Sequence, residues 1–114
     1  MGSHLNTQLG RQNEAKAVQF LLDQGFEVLD RNYYAKKLGE LDIVAQHEGV
    51  LHFVEVKSAK ADFDPIYNFT PSKLRKVINT AHFYLKTHQL DLPFSIDLLV
   101  IRQEEIEFIE NVTL

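Results

Sequence analysis

The chain has 114 residues, of which 45% are hydrophobic and 25% are charged, so its composition is that of one ordinary globular domain. It contains no cysteine, which excludes disulfides, thiolate zinc sites and cysteine nucleophiles and favours a reducing compartment, with the cytoplasm as the expected location. No apolar run approaches the roughly 20 residues of a membrane span, no signal-peptide pattern opens the chain, and the net charge of -4 argues against a general duplex binder with a basic face.

The first half of the chain predicts one helix followed by three strands. The opening Met-Gly-Ser-His is interpreted as an expression-tag remnant, which leaves residues 5–114 as a single predicted domain. A helix is expected where apolar residues recur at helical spacing, and Gly25 is its expected stop. Strands are expected where branched and aromatic residues cluster between turn residues. The predicted elements are a helix from Asn6 to Gln24, strands Phe26–Tyr34, Glu40–Gln46 and Val50–Lys57, and turns at residues 36–39 and 48–49.

The second half predicts a loop, a helix and two more strands. Ser58 to Phe69 has mixed character and is interpreted as a loop. Thr70 is a predicted N-cap, and Pro71 suits the first helical position. The helix is expected to run to about Thr87, with Leu74, Val77, Ile78, Ala81 and Leu85 on its inner face, before strands Phe94–Arg102 and Glu105–Glu110. The resulting order, α-β-β-β-α-β-β, predicts an α/β domain with helices flanking a sheet.

Charged residues alternate along the middle hairpin. If Glu48-Gly49 is a two-residue loop, Asp42 lies directly opposite Glu55, and Glu40 lies opposite Lys57. Directly opposed residues have Cβ atoms about 4.5–5.5 Å apart, so two facing carboxylates repel each other. The apolar residues of these strands, Leu41, Ile43, Val54 and Val56, are predicted to lie in the core on the face opposite the acids.

A bound divalent cation would offset that repulsion. Oxygen ligands suit Mg²⁺ or Mn²⁺, and the Lys57 ammonium on the same face could assist deprotonation of a water or stabilise charge on a phosphate. The hairpin alone favours the plainer interpretation, a solvated charged face. Two features favour a site instead: the strands are otherwise apolar, and the charges fall near strand ends, where α/β proteins place ligands.

The residues Gly39-Glu40-Leu41-Asp42-Ile43-Val44-Ala45 and Phe53-Val54-Glu55-Val56-Lys57 resemble the bacterial YraN family. That family resembles Holliday-junction resolvases and the wider PD-(D/E)xK nucleases. The resemblance covers nearly the whole chain after the first residues. It also includes Glu14-Ala15 on the first helix, Arg31-Asn32-Tyr33, Lys73 and Asp97. It implies a restriction-endonuclease-like three-layer core with a mixed sheet.

By the resemblance, Asp42 and Glu55 would be metal ligands, Lys57 the catalytic lysine and Glu14 an additional acidic ligand. The spacing of Glu14 with Ala17, Val18 and Leu21 puts its carboxylate on an apolar helix face, although an exposed position favoured by the helix dipole is an equal alternative on spacing alone. The chain departs from the family pattern in three places: Asn13 replaces a glycine, a basic residue after Lys57 is missing, and Ser95-Ile96-Asp97 replaces Arg-Phe-Asp.

Basic residues open the second helix. Lys73, Arg75 and Lys76 oppose the helix dipole there, and a phosphate at that end would remove the conflict. We expect phosphate contacts here, joined by Arg31, Lys36, Lys37 and Lys60, with a solvated helix face as an equal alternative. Asp97 is expected to be a buried structural carboxylate, most histidines to lie on the surface, and the aromatic residues to pack in the core or in loops, with Tyr67 and Phe69 as candidates for base stacking.

Three functions remain open from the sequence. The first is a Mg²⁺- or Mn²⁺-dependent endonuclease acting on structured or branched DNA, in which the metal lowers the pKa of a water and Lys57 supports attack on phosphorus. The second is a non-catalytic nucleic-acid-binding module with the same fold. The third is an acidic protein-interaction domain. DNA is expected as the partner rather than RNA, no membrane partner is expected, and a homodimer is left open.

Overall fold

The computed structural model describes residues 8–59, 69–103 and 105–113. They form helix α1 (Gln8–Asp23), strand β1 (Glu27–Tyr34), a 3₁₀ turn (Lys36–Leu38), strands β2 (Glu40–His47) and β3 (Val50–Ser58), helix α2 (Pro71–Thr87), and strands β4 (Phe94–Arg102) and β5 (Glu105–Ile109). This order confirms the predicted α-β-β-β-α-β-β sequence of elements. Most of the predicted 58–69 loop lies outside the described residues.

The five strands form one mixed sheet in the order β1-β2-β3-β4-β5. Strands β3 and β4 are parallel, and the other neighbouring pairs are antiparallel. The parallel pair requires a crossover, which α2 provides. Its start is capped as predicted, because the Thr70 hydroxyl accepts a hydrogen bond from the Lys73 N–H and Pro71 follows the cap. Neither helix in the described part of the chain is long and apolar enough to cross a membrane.

Each face of the sheet is covered by one helix, which gives three layers. Helix α1 packs Ala17 and Leu21 against Ile43, Val54 and Val56 on one face. Helix α2 covers the other face with a second buried cluster whose members come from the helix and from β2, β3 and β4: Val77, Ala81, Tyr84, Val44, Leu51, Phe53 and Ile96. Full burial of one such aliphatic side chain is worth about 1.5–3 kcal/mol. The three-layer α/β core with a mixed sheet is therefore confirmed.

The predicted hairpin register is correct near the turn and ends before the charged residues. The paired residues run from His47–Val50 to Ile43–Val54, as a two-residue loop at Glu48-Gly49 requires; both loop residues have the positive φ of such a turn. Beyond Ile43–Val54 the Asp42 side chain, rather than the β2 backbone, bonds to β3: its Oδ2 atom accepts a hydrogen bond from the Val56 N–H at 2.8 Å. The β2–β3 register therefore contains neither of the predicted direct pairs, Asp42 with Glu55 and Glu40 with Lys57. On the other edge of β2, Glu40 pairs with Tyr34 of β1.

Four hairpin residues predicted for the core, Leu41, Ile43, Val54 and Val56, are all fully buried. Their predicted side of the sheet is right for three of them. Leu41 instead joins the cluster under α2, while Ile43, two residues later, lies under α1. The alternation of side chains thus breaks at Asp42, where β2 leaves its pairing with β3 and no longer keeps the regular pleat.

Candidate functional site

A cleft with a volume of about 490 Å³ opens between the sheet and the first half of α2. One wall consists of β2 and β3, which contribute Glu40, Asp42, Glu55 and Lys57. The other wall comes from the residues that precede and begin α2. The remaining lining residues are Gly39, Phe69, Lys73, Lys76, Val77 and Thr80. Two of the three predicted metal-binding acids and the predicted catalytic lysine therefore share one cleft, and two of the predicted phosphate-binding lysines face them.

Asp42 is buried at the base of this cleft, with only 6% of its surface exposed. Burial raises the pKa of its carboxyl from 3.8 to about 6, against the opposing effects of the Val56 N–H and the Lys57 ammonium. One carboxylate oxygen is used by Val56. The charged form of Asp42 is thus costly to the fold unless a further positive charge approaches it.

Glu55 lies beside Asp42 on the neighbouring strand. Its Oε2 atom is 3.5 Å from the Asp42 backbone nitrogen, a long hydrogen bond. Burial raises the pKa of the Glu55 carboxyl well above its usual value, and the negative charge of Asp42 raises it further, whereas Lys57 lowers it. Two interacting carboxylates and one ammonium in a half-open cleft form the kind of perturbed cluster that marks functional sites.

Glu14 approaches the same region from α1, and its carboxylate is buried, which decides between the two positions that helical spacing left open. Its Oε2 atom accepts hydrogen bonds from Arg31 Nε at 2.8 Å and from Asn32 Nδ2 at 3.0 Å. The charge of Glu14 also contributes to the raised pKa of Asp42. Across the described residues, no three His, Cys, Asp or Glu side chains converge as a metal-ligand group, so Asp42 and Glu55 stand as a pair while Glu14 is held by Arg31.

The structure places only two of the predicted phosphate-binding residues in the cleft. Lys73 and Lys76 line the cleft, whereas Arg75 is exposed on α2 outside the lining. Arg31 is engaged with Glu14. Two further predicted contacts, Lys36 and Lys37, are exposed on the 3₁₀ turn, and Lys60 lies outside the described residues.

Asp97 belongs to a buried network away from the cleft, as a structural carboxylate should. Its side chain accepts hydrogen bonds from the Ser95 hydroxyl and, at 3.0 Å, from the Asn111 N–H, and it lies 2.6 Å from His52 Nδ1. His52 is buried, unlike the surface position expected for most histidines, and its ring meets Phe26 edge-on. Sequence reasoning missed this histidine because its partner is 45 residues away.

Sequence reasoning also missed two lining residues, Gly39 and Thr80, and misplaced two aromatic residues. Gly39 and Thr80 bring the 3₁₀ turn against α2: a Cβ at Gly39 would lie 3.3 Å from Thr80 Oγ1, and the Gly39 φ of 136° suits glycine. Tyr34 and Phe83, expected to pack in the core or in loops, are exposed. Phe83 stands two residues after Ala81, on the side of α2 opposite the predicted inner face, which was the available sequence signal. Two other lining residues had been named from the sequence: Glu40 on the charged face of the hairpin and Phe69 as a candidate for base stacking.

Comparison of the sequence with known proteins identifies the family of this chain. The model of the uncharacterised protein family UPF0102 matches residues 13–109, and the chain belongs to that family. A UPF0102 protein of Sulfurovum sp. (strain NBC37-1) is 62% identical over 92% of this chain and 93% of its own length. A UPF0102 protein of Wolinella succinogenes is 52% identical over 92% of this chain and 95% of its own length. A UPF0102 protein of Helicobacter pylori (strain HPAG1) is 46% identical over 91% of this chain and 90% of its own length.

Proposed function

We propose that this protein is a metal-dependent endonuclease that hydrolyses phosphodiester bonds in structured or branched DNA. The observation that carries the proposal is the cleft, in which Asp42, Glu55 and Lys57 face Lys73 and Lys76. Acids that can hold a metal on one wall, and cations that can hold phosphate on the other, are the two requirements of metal-assisted phosphodiester hydrolysis. The preference for branched DNA is supported by the resemblance to resolvases, and the ordered Asp, Glu-x-Lys pattern supports the nuclease chemistry.

The acidic pair fits Mg²⁺ or Mn²⁺ in its donor chemistry. Asp42 and Glu55 offer carboxylate oxygens, the donors that both ions prefer, and each carboxyl has a raised pKa, so an added cation would relieve the cost of keeping both charged. Two protein carboxylates are a common set for Mg²⁺, which keeps waters and substrate phosphate oxygens in its remaining positions. A cation held there would supply Lewis acidity and a lowered pKa for a coordinated water.

The chain's own residues supply the rest of the chemistry. Lys57 adjoins both carboxylates, whose pKa values it lowers, and its ammonium would stabilise the negative charge that develops on a phosphate under attack. Lys73 and Lys76 lie in the first turns of α2, where the helix N-terminus also favours an anion. A phosphate held there removes the unfavourable placement of two cations at the positive end of the helix.

The proposal is tested by cleavage of end-labelled four-way junction, single-stranded and duplex DNA in Mn²⁺, Mg²⁺ or EDTA. We expect cleavage that requires a divalent ion, favours the junction and is lost in Glu55→Gln and in Lys57→Met. Leu22→Ala is the matched control, because Leu22 is an exposed residue of α1 that does not line the cleft. A wild-type protein that binds DNA in a salt-dependent way and cleaves none of the substrates would be a binding module. A protein without any DNA affinity would support the protein-interaction alternative.

A further inference from the structure

An exposed apolar surface lies beside the cleft. It is formed by Tyr34, Leu38 and Phe83, which we term the aromatic patch, and the exposed fractions of the two aromatic residues are 68% and 42%. The patch borders a shallow pocket of about 500 Å³ whose other lining residues are Ala35, Lys36 and Lys37. Among the described residues, no acidic side chain lines this pocket. Aromatic rings flanked by two ammonium groups, without a carboxylate, suit an anionic partner that also carries a flat ring.

The aromatic patch is continuous with the cleft. The hydroxyl of Thr80, which lines the cleft, donates its shorter hydrogen bond to the Lys76 carbonyl oxygen at 2.8 Å and also lies 3.3 Å from the Leu38 carbonyl oxygen. Along α2, Lys76, Thr80 and Phe83 are spaced four and three residues apart, which puts them on one side of the helix. A strand whose phosphate contacts Lys76 would therefore reach Phe83 by following the same side of α2.

The surface is formed before any ligand arrives. The 3₁₀ turn that presents Leu38 is closed by two backbone hydrogen bonds, from the Ala35 N–H to the Gly39 carbonyl at 2.8 Å and from the Leu38 N–H to the Ala35 carbonyl at 3.0 Å. Tyr34 ends β1, where it pairs with Glu40 of β2. A platform fixed in this way loses little conformational freedom on binding.

We infer that the aromatic patch stacks an unpaired nucleobase of the strand whose phosphates occupy the cleft, so that the preferred substrate carries unpaired nucleotides next to the scissile position. The inference rests on the proposed function, since the cleft lysines supply the phosphate contacts. Stacking on an aromatic side chain tolerates any base, because every base has a π face. Paired bases within a duplex are already stacked on each other and present no such face.

The test compares two DNA molecules of equal length in EDTA, which separates binding from cleavage. One is a continuous duplex, and the other carries a short internal single-stranded gap with 2-aminopurine at an unpaired position. We expect the wild type to bind the gapped DNA about tenfold more tightly, the size expected for loss or gain of one stacking contact, with a change in 2-aminopurine fluorescence. Tyr34→Ala/Phe83→Ala should lose the preference and the fluorescence change while keeping the salt dependence set by the lysines.

Leu22→Ala is again the matched control, because Leu22 is 48% exposed and should keep the preference. Tyr34→Ser alone, at the more exposed ring, gives a second variant if the double substitution lowers stability. Equal affinity of the wild type for both DNA molecules, or an unchanged preference in both variants, would overturn the inference even if cleavage occurs. A retained preference without cleavage in Mn²⁺ would overturn the nuclease proposal and keep the stacking surface. Sedimentation in which the wild type is a dimer and the double variant a monomer would overturn the inference in favour of contact between two copies.

Discussion

The carboxylate of Asp42 replaces a backbone partner for Val56: its Oδ2 atom accepts a hydrogen bond from the Val56 N–H at 2.8 Å. The bond joins β2 to β3 where their backbone pairing has ended, and it places a buried negative charge at the base of the cleft. Asp42 therefore acts both as a hydrogen-bond acceptor and as a charge. The two can be removed separately, because asparagine keeps an acceptor oxygen and alanine does not.

We predict that Asp42→Asn raises the free energy of unfolding of the metal-free protein at neutral pH. The rise of the Asp42 pKa from 3.8 to about 6 corresponds to roughly 3 kcal/mol of destabilisation by the charged form. Asp42→Ala should be about 1–3 kcal/mol less stable than Asp42→Asn, because it leaves the Val56 N–H unsatisfied. Urea unfolding in EDTA measures all three proteins. An Asp42→Asn protein less stable than the wild type would contradict the charge argument.

The stability difference between Asp42→Asn and the wild type should depend on pH. Above a pH of about 6 the folded wild type carries a charged Asp42, and the penalty is complete. As the pH falls from about 6 towards 3.8, the folded state takes up a proton that the unfolded state still lacks, so the wild type gains stability relative to the variant. Unfolding curves of both proteins across this range give the difference directly. If the stability advantage of Asp42→Asn over the wild type grew as the pH fell, the pKa of Asp42 would not be raised in the folded protein.

Divalent metal should stabilise the wild type and leave Asp42→Asn unaffected. A ligand that binds only the folded protein stabilises it by about 2.7 kcal/mol at a hundredfold excess over Kd. Because the acids must be deprotonated to bind a cation, the stabilisation should shrink as the pH falls below about 6, near the raised pKa of Asp42. Calorimetric scans with and without Mn²⁺ give the shift in Tm. A wild-type Tm that does not change at millimolar Mn²⁺ would count against a working metal site.

The three cations at the start of α2 should contribute unequally to DNA binding. Lys73→Ala and Lys76→Ala should each weaken binding of every sequence and reduce the slope of log K against log salt by about 1, since both residues line the cleft. Arg75→Ala is the matched control on the same helix and outside the lining, and its slope should stay close to that of the wild type. Fluorescence anisotropy over a salt series distinguishes the three. Equal effects of all three substitutions would assign them to one general basic face.

The buried network around Asp97 should support the fold without taking part in the cleft. Asp97→Asn disturbs contacts with Ser95, His52 and Asn111, and we expect it to lower the free energy of unfolding by about 2–4 kcal/mol. The stabilisation by Mn²⁺ should be the same as in the wild type. Loss of the Mn²⁺ effect in a variant that is still folded would place Asp97 in the metal site.

Features of this protein that depend on neighbours in the chain could be predicted from the sequence. Helix α2 begins at Pro71 and ends at Thr87 as predicted, because an N-cap, a proline and a helical period act within a few residues of each other. The hairpin register from His47–Val50 to Ile43–Val54 followed from the length of one turn. Helical spacing put Glu14 on the face of Ala17 and Leu21, while its burial there was one of two positions that the spacing left open.

Features that depend on contacts between distant residues were decided only by the tertiary structure. The end of the β2–β3 pairing at Ile43–Val54 depends on a side chain that outcompetes the backbone for the Val56 N–H. The partners of Glu14 and Asp97 lie 17 and 45 residues away, and only the folded chain brings Phe83 next to Tyr34 and Leu38. A local pattern gives the side on which a residue lies, but the energy of a buried charge or an exposed ring depends on what the folded chain brings next to it.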